Sequence, residues 1–204
     1  MAFIMLACIN PAKPKQRWPM ARSLRALSLG ILIAGFAPLS QAAEFKVRSV
    51  ATELRDNVYV LNARINYTFS DEAQRALQSG IPLIILMDIG VERQRSWLWN
   101  KEVATLQQGY LLLYHALTKK YIINNLNSGA QHNYNSLTAT LSTLGQVTNL
   151  PLIDKGLIEE DERYQVNLRV YLDIESLPAP MRPLAYLSSD WRLSSDWYSW
   201  PLQQ

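Results

Sequence analysis

Residues 164–174 alternate without a break. Tyr164, Val166, Leu168, Val170, Leu172 and Ile174 are apolar, with Gln165, Asn167, Arg169, Tyr171 and Asp173 between them. A period of two means a strand, because successive side chains of a strand point to opposite faces. It also fixes the surroundings: one face dry and one wet, as in an antiparallel sheet open to solvent on one side.

The same rule reads residues 44–67 as two strands. Phe45, Val47 and Ser49 alternate with Lys46, Arg48 and Val50. After the turn signal Asp56-Asn57, residues Tyr59, Leu61, Ala63, Ile65 and Tyr67 hold one face. Ser70 offers an N-cap, and Asp71 and Glu72 suit the positive end of a helix dipole, so a short helix is predicted over 71–78, closed by Gly80. Residues 81–91 are apolar at nearly every position up to Asp88 and predict a strand covered on both faces. Residues 93–100 form a charged, tryptophan-rich connection. A hairpin is predicted over 109–117 and 121–126, and a turn at 127–129 leads into 130–134. Leu137, Leu141 and Leu144 recur at helical spacing after Ser136 and predict a second short helix. Pro151 is expected to end that region, and 159–162 to be a solvated acidic loop. Pro178, Pro180 and Pro183 forbid regular pairing, and 190–202 is expected to resume as a strand. There Ser-Ser-Asp-Trp occurs at 188–191 and again at 194–197, an even offset that would place Trp191 and Trp197 on one face. The expected fold is mainly β, a single β-sandwich-like domain with one or two short helices; an α+β layer fold is the alternative.

The front of the chain has a different character. From Met20 a short basic segment with Arg22 and Arg25 precedes an uncharged apolar stretch at 26–37, then Pro38 and Ser40-Gln41-Ala42. This is the pattern of a cleavable export signal, with the cut expected after Ala42. The apolar stretch is about a dozen residues, short of the roughly 20 that cross a bilayer as a helix. Residues 1–42 are therefore expected to be a signal peptide, with Met20 as the natural start, and 43–204 a single exported domain in the periplasm. Removing the leader reverses the charge argument. Five of the 20 basic residues and none of the 17 acidic ones precede position 43, leaving 15 basic against 17 acidic, a net −2 in place of +3. That excludes the positive footprint nucleic-acid binding needs. The single cysteine, Cys8, also lies in the leader, so the exported part has neither a disulfide nor a thiolate site.

Three stretches together carry a family resemblance: GIPLIILMDIGVERQRSWLWN (80–100), GYLLLYHALTKKY (109–121), and YQVNLRVYLDIESLP with SSDWRLSSDWYSWPL (164–178 and 188–202). They resemble the exported proteobacterial family known as domain of unknown function 4390, some of whose members are called proline-rich signal-peptide proteins. The resemblance implies a Gram-negative envelope protein, often encoded beside a membrane sensor histidine kinase of the nitrogen-regulation type. It implies no activity and brings no catalytic residue with it.

The candidate sites are few. His115 lies in an apolar strand and His132 in a polar turn, and neither belongs to a metal-ligand spacing or a nucleophile motif. No cofactor or metal is expected. Asp88 and Glu92 near one strand end, and Asp173 and Glu175 near another, have even spacings. A facing pair held about 5–10 Å apart would suit a carboxylate-dependent glycan hydrolase. The aromatic residues say more. Trp97, Trp99, Trp191, Trp197 and Trp200 sit in two short segments. Each ring buries roughly 150–250 Å², worth about 4–6 kcal/mol gross, so most are expected in the core. The remainder, beside Arg93 and Arg95, would form a platform for a sugar ring or a partner protein. The binding set is thus Trp97, Trp99, Arg93, Arg95, Trp191 and Trp197. The expected role is a non-enzymatic periplasmic interaction protein, its partner an envelope protein or a membrane sensor kinase. A cell-wall glycan hydrolase and a structural or chaperone-like envelope protein are the alternatives.

Overall fold

Asp56 and Asn57 both adopt positive φ, 48° and 64°. Two such residues in succession make the tight turn that matches native strand twist, and Asp and Asn tolerate it best after glycine. In the computed structural model, which describes residues 44–203, this turn joins β1 (Phe45–Arg55) to β2 (Val58–Tyr67). Tyr59, Leu61, Ala63, Ile65 and Tyr67 of β2 are all buried, on the one face that their alternation predicts. β1 departs from strict alternation. A bulge between Val47 and Ser49 inserts one residue, so Val50 returns to the half-buried face of Val47.

The remaining elements are α1 (Asp71–Gln78), β3 (Leu83–Arg93), β4 (Lys101–His115), β5 (Lys120–Asn125), β6 (Gln131–Tyr134), α2 (Leu137–Leu144), β7 (Gln146–Asp154), β8 (Tyr164–Leu172), α3 (Arg182–Leu187) and β9 (Tyr198–Pro201). Ser70 caps α1 by accepting from the Ala73 amide at 3.1 Å, and Ser136 caps α2 in the same way. The strands form two antiparallel sheets, ordered β1-β2-β7 and β6-β5-β4-β3-β8-β9. Leu83, Ile85, Met87, Ile89 and Val91 of β3 and Tyr164, Val166, Leu168, Val170 and Leu172 of β8 share one hydrophobic cluster with the buried face of β2. The fold is therefore mainly β and sandwich-like, with three short helices where one or two are expected.

Four other expectations change. β3 is covered on one face only: its inner residues are buried, while Ile84, Leu86, Asp88, Gly90 and Glu92 stay half-exposed. β4 begins at Lys101 rather than at 109. Pro151 does not end a region but lies within β7, opposite Val60 and next to a register shift. β7 ends its sheet, and an edge strand at a bulge tolerates a residue that donates no hydrogen bond. The tail is not one strand. Residues Ser189–Trp191 make a 3-10 turn, Ser194 forms an isolated bridge with Tyr171, and only Tyr198–Pro201 pairs regularly. Between them Ser195 continues the edge of β8: its amide donates to the Val170 carbonyl at 2.8 Å, and its hydroxyl accepts from the Val170 amide at 3.1 Å. The expected signal peptide, 1–42, lies outside the described residues. No helix among those described is long and apolar enough to cross a membrane.

Candidate functional site

Arg93 and Lys101 are the last pair of the β3–β4 hairpin, and residues 94–100 form its tip. The tip is held at its base. Arg93 Nη1 lies 2.9 Å from Glu159 Oε1 and 3.7 Å from Glu162 Oε1, and the Gln94 amide donates to the Arg163 carbonyl at 2.8 Å. Gln94 Nε2 donates to Gln165 Oε1 at 2.8 Å, and Asn100 Nδ2 to Glu92 Oε2 at 3.1 Å. Above this base the apolar side chains have nothing to pack on. Trp97 is 97% exposed, Trp99 93% and Leu98 69%.

This overturns the expectation that most tryptophans are core. Of the five in the two segments, only Trp191 is buried, at 6% exposure. The area argument holds for rings that can reach the core, and a ring at the tip of a hairpin that overhangs its sheet cannot. The six predicted binding residues therefore divide. Arg93, Arg95, Trp97 and Trp99 come together, although Arg93 is largely occupied by the acidic loop and serves as an anchor. Arg95 lines a polar cleft of about 460 Å³ with Ser96, Asn100, Asp161, Glu162 and Arg163. Trp191 belongs to the core and takes no part in a surface. Trp197 is 53% exposed but lies elsewhere, over Arg169 at 6.0 Å. Arg169 is five positions along β8 from Tyr164, the partner of Arg93, or roughly 17 Å at about 3.3 Å per residue. Trp191 and Trp197 do not share a face, because the 3-10 turn and the Ser194 bridge separate them.

Of the two carboxylate pairs, the first is spread along its strand. Asp88 and Glu92 are four positions apart on β3, roughly 13 Å, and Gln107 Nε2 donates to Asp88 Oδ1 at 2.8 Å. Asp173 caps the turn after β8 by accepting from the Glu175 amide at 3.0 Å, and Glu175 Oε1 accepts from the Tyr186 hydroxyl at 3.3 Å. His115 is exposed at a strand end, with Nδ1 3.1 Å from the Thr118 hydroxyl; His132 is exposed on β6. Among the described residues no three His, Cys, Asp or Glu side chains are placed to hold a metal.

One surface escaped the sequence reading. The outer face of the six-stranded sheet carries, across neighbouring strands, Gln107, Asp88 and Arg169 in one row and Thr105, Gly90, Asn167 and Ser199 in the next. Tyr171 and Trp197 flank the Arg169 guanidinium, with ring centroids 5.4 and 6.0 Å away. Burial first, and then the neighbouring Asp88 carboxylate, raise the Tyr171 phenol above its ordinary pKa. The alternation of β8 announces a wet face, but only strand register shows what stands beside it.

The architecture defines a mainly β, antiparallel two-sheet domain with a tryptophan-tipped hairpin. The family described as domain of unknown function (DUF4390) matches residues 42–201, and the chain belongs to that family. No curated protein and no solved structure matches it with significance.

Proposed function

We propose that this chain is an exported, non-enzymatic interaction module of the Gram-negative envelope, released into the periplasm by cleavage after Ala42, which docks on an envelope protein through the tip of the β3–β4 hairpin. The observation that carries the reading is the pair Trp97 and Trp99, almost fully exposed on either side of Leu98. Tryptophan is the residue most enriched among those that dominate binding energy at interfaces. Two such rings left wet are an unfavourable surface for an isolated protein, and a base tied by Arg93 fixes where the segment that carries them stands. A membrane sensor kinase is the partner that the family resemblance suggests.

The test is crosslinking in intact cells followed by recovery of the tagged protein. Wild type is expected to bring down an envelope protein and to begin at Ala43. The Trp97→Ala/Trp99→Ala double variant is expected to reach the same compartment with unchanged circular dichroism and to lose at least about tenfold in recovery, as the removal of two interface tryptophans implies. Equal recovery from the double variant would remove the tip from the interface, and an intact leader on the recovered protein would remove the compartment.

A further inference from the structure

Nothing in the fold requires Gly90 to be glycine. It lies inside β3, one of the central strands of its sheet, with no positive φ, and a Cβ built there would meet nothing within 4 Å. Glycine in a strand interior forfeits side-chain packing and costs backbone entropy, and it commonly marks a place where something else approaches the backbone closely. Gly109, on the same face, is different: the Leu126 side chain stands 3.2 Å from where its Cβ would be. The space over Gly109 is filled by the protein, whereas the space over Gly90 is open.

The rim of that opening is polar on every side. Thr105 and Asn167 stand beside Gly90 on the neighbouring strands, Asp88 and Glu92 before and after it on β3, with Gln107, Gln165 and Ser199 beyond. Asn167 Oδ1 accepts from Ser199 Oγ at 2.6 Å and from Gln165 Nε2 at 3.1 Å, which orients the amide. At the edge Trp197 presents a half-exposed indole against Arg169.

These features favour one class of occupant. A protein partner needs an apolar centre to its footprint, and here the centre is a glycine among amides, hydroxyls and carboxylates. A phosphate or nucleic acid needs positive charge, but Asp88, Glu92 and Glu102 outnumber Arg169 on this face. A neutral polyhydroxylated ring meets both conditions. Its hydroxyls pair with planar amides and carboxylates, and its C–H face lies on an indole. From Thr105 to Ser199 the face spans three strand spacings, roughly 14 Å, which suits a short oligosaccharide. We propose that the outer face of the six-stranded sheet is a saccharide-binding surface centred on the gap over Gly90. Its centre at Gly90, Thr105 and Asn167 includes none of the tip's tryptophans, although Glu92 and Gln165 at its rim also tie the base of the tip.

The test is titration of the ¹⁵N-labelled protein with cellotetraose, maltotetraose and chitotetraose, read from amide shifts. At least one is expected to give saturable shifts at Thr105, Gly90 and Asn167. Gly90→Thr fills the gap with a residue that favours strands, so the variant is expected to melt no lower than wild type while binding about tenfold or more weakly. Trp197→Ala is expected to weaken binding as well, and Trp97→Ala/Trp99→Ala to leave it unchanged. Absence of saturable shifts with all three sugars overturns the proposal. So does binding that survives both Gly90→Thr and Trp197→Ala, and so does binding that depends on Trp97 and Trp99.

Discussion

Gly145→Ala is expected to destabilise the domain by about 3 kcal/mol, at the upper end of what overpacking costs. Gly145 follows α2 directly, with an ordinary helical backbone, and its glycine is required by proximity rather than by φ. A Cβ at this position would stand 2.1 Å from the Ile65 carbonyl oxygen and 3.2 Å from its carbon. The obstruction is backbone, so no rotamer change relieves it. The Ile65 amide donates to the Gly145 carbonyl at 2.8 Å, and the next residue, Gln146, pairs with Arg64. Moving the two segments apart would break that hydrogen bond, disturb the start of β7, and lift Leu144 out of the core. Against a total stability of about 5–15 kcal/mol for a domain, the loss is large. Urea unfolding should show it as a lower midpoint with little change in slope. A midpoint shift equivalent to less than about 0.5 kcal/mol, the range of an ordinary surface change, would mean that α2 and β2 are not held at this separation.

The elements legible in the sequence are those whose own residues alternate between core and solvent. β2 and β8 bury every second residue, and α1 and α2 each announce themselves by a serine cap, so local chemistry and tertiary role agree. The elements missed lack that contrast. β7 is an edge strand with only Ile153 buried, and Pro151 reads as an end unless its bulge is known. The first part of β4, from Lys101 to Gln107, pairs with β3 on one side but lies beyond the reach of β5 on the other, and its residues are exposed or half-exposed on both faces, so no period of two emerges. α3 buries only Ala185 and carries a proline in its first turn, which leaves no helical period to read. The candidate surfaces divide in the same way. Clustering of tryptophans is a property of sequence, but exposure depends on whether the carrying segment reaches the core. Trp97 and Trp191 differ in that alone. The polar face around Gly90 combines residues from β3, β4, β8 and β9, and its composition becomes visible only through strand register.

Trp191→Ala and Trp97→Ala should therefore have opposite consequences, although both remove an indole. Trp191 closes a junction: its 3-10 turn packs against α1 and α3, and the ring is 6% exposed within the common core. The junction is tied from the other side by Ser70, which caps α1 and also donates its hydroxyl to the Asp190 carbonyl at 2.7 Å. Truncation leaves a void that these fixed elements cannot readily collapse into. The expected cost is about 3–5 kcal/mol, the range for aromatic-to-alanine changes in cores, or a fall in melting temperature of roughly 10 °C for a domain of this size. Trp97 touches little that folding creates, so its removal should change stability by no more than about 0.5 kcal/mol and leave the near-ultraviolet circular dichroism of the buried rings intact. Thermal unfolding of the two variants side by side separates packing from recognition. If Trp97→Ala proves as costly as Trp191→Ala, the tip is packed on the domain, and the exposed indoles cease to be an argument for a partner. If Trp191→Ala proves silent, α1 and α3 close over the gap, and the core at this end is softer than its hydrogen bonds imply.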